Sequence, residues 1–314
     1  MRTLINKCLL SLILLSGAMQ QVVADTQPRV LVSIKPLQLI FSEIAGDAVQ
    51  VDLLLNPGVS PHIYQLKPSD MAKLSKADAL VWVGPGMETF LAKVVTSLKP
   101  KRSVQLQHEL SAFLSDANGH SGRDHDHDHG AHHHHDGHHH NHDAHGDAHL
   151  WLSPELAPEI AKVAAQLFSE LRPEQAQQFQ QRLAEFNKSL RTADQSNRDL
   201  LQPVGEKGFL VTHDAYGRFV GHYELNQVGA LTITPERSPG ARHLTQLRTV
   251  LESSQAHCVL LEPQIQPRYL NSLTEGLNIR QEILDPLGVE IEPGPGSYAQ
   301  FLTNLAEAIH RCLR

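Results

Sequence analysis

Histidines are concentrated in one stretch of this chain, which makes metal binding the first chemistry to consider. Fourteen of the 21 histidines lie between His120 and His149, and six aspartates, from Asp124 to Asp147, are interleaved with them. Neutral imidazole is the commonest metal ligand near neutral pH, and histidine-rich tracts are typical of metal binding. A solubilising linker or a purification tag is the alternative, although an internal tract rich in aspartate is unlike a tag.

Almost no apolar side chain occurs in the tract before Trp151. Too little surface can be buried to offset the entropy of ordering, so we expect a disordered loop over residues 118–147. The histidines predicted to form an auxiliary metal-binding loop are His125, His127, His129, His132, His133, His134, His135, His138, His139, His140, His142 and His145.

Four residues occupy positions where a folded metal site could form. His213 and Asp285 each follow an apolar, strand-like run, His62 follows another such run after a Pro/Gly loop, and His149 ends the tract. Open α/β sheets bind ligands at the carboxyl ends of their strands, so these side chains could converge in one cleft. Three imidazoles and one oxygen suit tetrahedral zinc. Taken singly, the histidines could be exposed loop residues, and Asp285 before Pro286 could be a turn residue.

The pattern of apolar runs predicts an α/β fold made of two lobes. Short apolar runs alternate with helical segments in each half, which is typical of parallel sheets covered on both faces. The predicted strands are residues 29–34, 51–55, 79–83 and 103–107 in the first half, and 208–212, 230–234, 258–262 and 279–284 in the second. We therefore expect two lobes, each with a four-stranded, mainly parallel sheet.

A segment without strand signals separates the two halves. From Pro173 to Leu201 its apolar residues fall on one helical face, which predicts a rigid helix about 43 Å long joining the lobes. The expected organisation is a signal peptide over residues 1–24, an N-terminal lobe over 25–172, a linker helix over 173–204 and a C-terminal lobe over 205–314.

The first 24 residues resemble a secretory signal. Arg2 and Lys7 precede an apolar run that is too short to span a bilayer, and a small-residue exit ends at Ala24. The residues before Cys8 differ from those before a lipidated cysteine, so we expect cleavage, export and a periplasmic location rather than a lipid anchor.

Cleavage would leave two cysteines, Cys258 and Cys312. An even count in an oxidising compartment favours one disulfide, and two buried free thiols are the alternative. The net charge of −7, without a basic stripe, gives no electrostatic case for nucleic-acid binding.

Several motifs, in order, resemble the ZnuA family, the periplasmic zinc-binding components of high-affinity ABC importers among the cluster-9 metal solute-binding proteins. The segments are residues 60–70 (SPHIYQLKPSD), 80–88 (LVWVGPGME), 149–154 (HLWLSP), 212–217 (THDAYG), 239–242 (PGAR), 262–264 (EPQ) and 284–288 (LDPLG). The resemblance implies a monomeric Zn(II)-binding protein that works with an inner-membrane permease and its cytoplasmic ATPase. It also implies the disulfide between Cys258 and Cys312.

Carried over residue by residue, the resemblance makes His62, His149 and His213 the metal ligands. Imidazole at position 213, where manganese-type relatives usually have Glu, fits zinc better than manganese. Some ZnuA proteins have a Glu ligand just before the first histidine, but Pro61 stands there in this chain. Asp285 or water must then supply the fourth ligand.

Three other functions fit parts of the sequence. A three-histidine zinc site with an open position could belong to a hydrolase, with Glu236 or Glu262 as a base, but the sequence has no His-Glu-x-x-His motif and no Gly-x-Ser-x-Gly motif. A surface adhesin would be expected to carry a lipid anchor, and a manganese importer component would be separated by metal competition. We therefore expect a transport protein rather than an enzyme.

Overall fold

The computed structural model describes residues 27–98, 100–118, 147–232, 238–253, 255–265 and 267–314. The predicted signal peptide and the twelve predicted auxiliary histidines lie outside these residues. The two ends of the predicted loop, Asn118 and Asp147, are described. Asn118 ends a helix, and Asp147 lies beside His149.

The N-terminal lobe contains the first predicted sheet. Its strands are β1 (Arg29–Val32), β2 (Gln50–Leu53), β3 (Ala79–Trp82) and β4 (Ser103–Gln105), all parallel in the order β2-β1-β3-β4. The helices that follow in this lobe are α1 (Lys35–Ala45), α2 (Pro68–Lys76), α3 (Thr89–Leu98), α4 (Leu106–Glu109) and α5 (Ser111–Asn118). The central strands β1 and β3 are almost wholly apolar and buried, as expected for a sheet covered on both faces.

Two long helices and three short 3₁₀ turns connect the lobes. They are the turn Leu150–Leu152, α6 (Ala157–Leu171), the turn Pro173–Gln175, α7 (Ala176–Leu201) and the turn Gln202–Val204. The sequence predicted one helix from residue 173 to residue 201, whereas the α-helical part has 26 residues and starts at Ala176. Pro173 has no N–H to donate and Arg172 before it is non-helical, with φ −138° and ψ 71°, so the chain makes a tight turn before the helix begins.

The C-terminal lobe repeats the arrangement of the first. Its strands are β5 (Phe209–His213), β6 (Gln227–Thr232), β7 (Cys258–Leu261) and β8 (Arg280–Ile283), all parallel in the order β6-β5-β7-β8. Its helices are α8 (Gly217–His222), α9 (Ala241–Glu252), α10 (Leu270–Thr274) and α11 (Ser297–Leu313). The prediction of two four-stranded parallel sheets joined by a long helix is therefore confirmed.

The predicted disulfide is present between Cys258 of β7 and Cys312 of α11, whose Cα atoms are 5.7 Å apart. It attaches the last helix to the second sheet. No helix among the described residues is both long enough and apolar enough to cross a membrane.

One hydrophobic cluster extends through both lobes and packs α7 and α11 against the first lobe, and a second, smaller cluster lies within the C-terminal lobe. Buried and partly buried hydrogen bonds also connect the lobes. The Glu43 carboxylate of α1 accepts hydrogen bonds from the backbone N–H groups of Gly296 and Tyr298, at the start of α11. The indole N–H of Trp151 donates to the carbonyl of Pro286, and the Tyr298 hydroxyl donates to the carbonyl of Trp151. These contacts fix the edges of the cleft between the lobes.

Candidate metal site

Three elements bring histidines to the cleft. His213 is the last residue of β5, an entirely buried central strand of the second sheet. His62 lies in the loop between β2 and α2, and His149 lies immediately before the turn Leu150–Leu152. Among the described residues these three form the one group of His, Cys, Asp or Glu side chains close enough to hold a metal ion.

The spacing of the imidazole nitrogens matches a tetrahedral metal site. Nε2 of His149 lies 3.3 Å from Nε2 of His62 and 3.3 Å from Nε2 of His213. Zinc–nitrogen bonds of about 2.0–2.1 Å at tetrahedral angles place two ligand nitrogens about 3.3–3.4 Å apart. The side chains of His149 and His213 are almost fully buried, so the nitrogens are held in a site shielded from bulk water.

Two carboxylates fix the protonation of the imidazoles. Nδ1 of His149 lies 2.8 Å from Oδ1 of Asp147, and Nδ1 of His213 lies 2.6 Å from Oε1 of Glu262. An ionised carboxylate only accepts hydrogen bonds, so each Nδ1 carries the proton and each Nε2 of the neutral ring has a bare lone pair. The contact between the two Nε2 atoms is then not a hydrogen bond. Two lone pairs facing each other at this distance favour a cation between them.

Burial disfavours the charged form of both His62 and Asp147, and so shifts their pKa values in opposite directions. Burial, reinforced by repulsion from His149 and His213, lowers the pKa of His62 to about 3. Burial alone would raise the pKa of Asp147, but its hydrogen bonds from His149 and the charge of Arg218 hold that pKa below its usual value. Metal binding requires neutral imidazoles and ionised carboxylates near them, and the lowered pKa values of His62 and Asp147 both favour those forms.

The chain matches the family model described as "Zinc-uptake complex component A periplasmic" over residues 30–312. The chain belongs to the ZnuA family. It is 36% identical over 292 residues to the high-affinity zinc uptake system protein ZnuA of Yersinia pestis, covering 91% of each chain. It is 38% identical to the protein of the same name from Haemophilus ducreyi, covering 95% of this chain and 97% of the relative.

Solved structures share the fold. A crystal structure of ZnuA has a TM-score of 0.71 and 25% identity, and the match covers 92% of this chain and all of the other. The periplasmic zinc-binding protein TroA from Treponema pallidum has a TM-score of 0.75 at 20% identity, covering 92% of this chain and 99% of the other, a likeness of fold alone.

Asp285, which the sequence offered beside water as the fourth ligand, is not part of the histidine group. Its Oδ1 accepts hydrogen bonds from the side-chain amide of Gln264 and the backbone N–H of Leu287, and its Oδ2 accepts one from the backbone N–H of Val289. The carboxylate therefore holds together the loop after β8. Pro61, Trp151, Pro286 and Leu287 also line the cavity around the imidazoles and give it a largely apolar wall.

Sequence reasoning missed the carboxylates that orient the ligands. Glu262 had a detectable signal: Leu260 of β7 pairs with Val211 of β5, so Glu262 lies beside His213 at the same end of the sheet. The sequence offered Glu262 as a possible base of a hydrolase, with a structural role as the alternative, and as part of the motif at residues 262–264, but not as the partner of His213. Asp147 was one of six similar aspartates in the tract, and nothing in the sequence separated it from the other five.

Proposed function

We propose that this chain is the zinc-binding component of a high-affinity ABC importer, which binds Zn(II) between its lobes and delivers it to a membrane permease driven by a cytoplasmic ATPase. His62, His149 and His213 bind the ion through Nε2. The observation that carries the proposal is the convergence of three imidazoles, in which Nε2 of His149 lies 3.3 Å from Nε2 of each of the other two, a distance that matches the edge of a tetrahedral zinc site.

The donor set favours zinc over manganese. Three nitrogen ligands suit zinc, whereas manganese prefers carboxylate and carbonyl oxygens. Water takes the fourth position, because both carboxylate oxygens of Asp285 already accept hydrogen bonds, from Gln264 and Leu287 at Oδ1 and from Val289 at Oδ2. Glu262 does not act as a hydrolytic base, because it accepts the Nδ1 proton of His213 and is 3% exposed.

The proposal also covers the location of the protein and the role of the histidine-rich tract. Periplasmic capture fits family membership, and residues 1–24 act as a cleaved export signal. The histidines between positions 120 and 146 collect zinc weakly at high local concentration and pass it to the cleft. If uptake under zinc starvation is unchanged after deletion of residues 120–146, this collecting role is refuted.

Complementation of zinc uptake tests the transport function. A bacterial strain whose own ZnuA-type component is deleted would receive this chain, its His149→Ala/His213→Ala variant, or a His257→Ala control, since His257 lies in the same lobe with an exposed side chain. We expect radioactive zinc uptake with the unaltered chain and with the control, and none with the double variant. Equal uptake with the double variant would refute the cleft as the transport site.

A further inference from the structure

The short helix α8 connects the two halves of the metal site. It begins four residues after His213, and its side chains reach the segment that carries His149. The Arg218 guanidinium donates hydrogen bonds of 2.9 and 3.4 Å to the backbone carbonyl of Asp147. It also forms an ion pair with Oδ2 of Asp147 at 3.8 Å, with about one fifth of each side chain exposed. One arginine of the C-terminal lobe thus holds both the backbone and the side chain of Asp147.

Asp147 transmits this attachment to the imidazole of His149. Its Oδ1 accepts two hydrogen bonds from His149, one from the backbone N–H at 2.9 Å and one from Nδ1 of the ring at 2.8 Å. The second bond sets the tautomer and the first sets the backbone position, so both the direction and the location of Nε2 depend on Asp147. The result is a continuous chain of contacts from Arg218 through Asp147 to His149.

We propose that Asp147 and Arg218 form a positioning pair that sets the affinity of the metal site by fixing His149 against His213 across the lobe boundary. The proposal rests on the function proposed above, since it assigns residues that support the zinc ligands. Neither side chain is a ligand. Their effect is to hold the Nε2 atoms at tetrahedral spacing before the ion arrives, so that binding requires little reorganisation.

A second contact between α8 and the same segment separates positioning from general stabilisation. Nδ1 of His222 lies 3.2 Å from Oε1 of Glu155, whose side chain is 74% exposed. Glu155 follows the turn Leu150–Leu152, and its contact with His222 does not involve Asp147, the partner of the His149 ring. A Glu155→Ala variant therefore weakens the attachment of the segment to α8 without removing the partner of His149.

The test combines zinc affinity with the tautomer of His149 in the full-length chain. Asp147→Ala, Arg218→Ala and Glu155→Ala would be titrated with zinc against a calibrated chelator, and the tightest binding event compared. Removing outer-shell partners of zinc ligands typically costs about 10–100-fold in affinity. We expect a loss near the upper end of that range for Asp147→Ala, near the lower end for Arg218→Ala, and less than about threefold for Glu155→Ala.

Nitrogen-15 NMR of metal-free, histidine-labelled protein gives the readout that a purely structural role would not change. The His149 signal, assigned by its loss in His149→Ala, should report a proton on Nδ1 in the unaltered chain and in Glu155→Ala. It should report a mixture of tautomers in Asp147→Ala and Arg218→Ala, while His213, bonded to Glu262, keeps its Nδ1 proton throughout.

Three results would overturn the proposal that Asp147 and Arg218 position His149. The first is an unaltered zinc affinity in Arg218→Ala. The second is a weakened zinc affinity in Asp147→Ala or Arg218→Ala with an unchanged His149 signal. The third is a loss of zinc affinity in Glu155→Ala as large as that in Arg218→Ala. If Asp147→Ala does not fold, Arg218→Ala and its NMR spectrum decide the matter. Absence of tight zinc binding by the unaltered chain would instead refute the proposed function, and the metal-free NMR comparison would still test the positioning.

Discussion

Glu262 offers a quantitative test of how the protein prepares its imidazoles for metal. Its carboxylate is 3% exposed and lies 2.6 Å from Nδ1 of His213, so it makes a buried, charge-assisted hydrogen bond. Glu262→Gln keeps an oxygen that can accept the Nδ1 proton but removes the negative charge. The tautomer of His213 is therefore preserved, and the electrostatic support of a divalent cation is lost.

The expected loss of zinc affinity depends on whether a variant of Glu262 removes the charge alone or the hydrogen bond as well. Loss of an outer-shell partner of a zinc ligand costs about 10–100-fold in affinity, or about 1.4–2.7 kcal/mol. Because Gln retains the hydrogen bond, we expect the lower end, about tenfold weaker zinc binding. Glu262→Ala removes both the bond and the charge, and we expect about 100-fold.

Chelator-competition titration at pH 7 measures both variants. Glu282→Gln is the matched control, because Glu282 lies in the same sheet on β8 and pairs with Arg311 at the surface, away from the histidines. Its zinc affinity should equal that of the unaltered chain. If Glu262→Gln folds normally and binds zinc as tightly as the unaltered chain, the carboxylate does not support the site and the reasoning is wrong.

Three further predictions concern stability, each measured by urea unfolding of metal-free protein. Replacing Cys258 and Cys312 by Ala removes a link across 54 residues and should cost about 4 kcal/mol in the free energy of unfolding, whereas an unchanged midpoint would contradict this. Burial lowers the pKa of His62 to about 3, so below about pH 6.5 the unfolded chain binds a proton at this residue that the folded chain does not bind. Relative to His62→Gln, the free energy of unfolding should therefore fall by up to about 1.4 kcal/mol per pH unit as the pH is lowered from about 6.5 to about 3. Parallel pH profiles of the two chains would refute this prediction. Burial raises the pKa of Glu88 to about 7, so its protonated form stabilises the fold at low pH. Relative to Glu88→Gln, the free energy of unfolding should fall by about 3 kcal/mol as the pH rises from 4.5 through 7. A difference between the two chains that does not change with pH would show that Glu88 does not titrate in this way.

The fold was predictable because its signals are local. Each strand of the two sheets is a short apolar run between helical segments, and burial on both faces makes such runs conspicuous in a sequence. The linker was less predictable at its start, where Pro173 permits a helix to begin but does not determine whether the first turn is α-helical or 3₁₀.

The metal site was predictable only in part, for a geometric reason. The position of His213 at the carboxyl end of a buried strand indicated a ligand site, and the structure brings His62 and His149 to it. Asp285 occupies an equivalent position after β8, but its side chain is bonded to its own loop. Strand position indicates the edge of the sheet that a residue occupies, whereas hydrogen bonds decide the direction of its side chain.

The contribution of Arg218 could not have been found from the sequence. Arg218 and Asp147 are 71 residues apart and meet because α8 folds back over the segment before His149. Contacts of this kind join separate elements, and no periodicity or motif reports them.

The most direct test of the account is a zinc titration, against a calibrated chelator, of the chain lacking residues 120–146, beside the same deletion with His213→Ala. We expect one tight site in the deletion chain, greatly weakened by His213→Ala, because the ion is held by His62, His149 and His213. Loss of tight binding in the deletion chain, with no effect of His213→Ala in the full-length protein, would contradict it and place the zinc site in the tract.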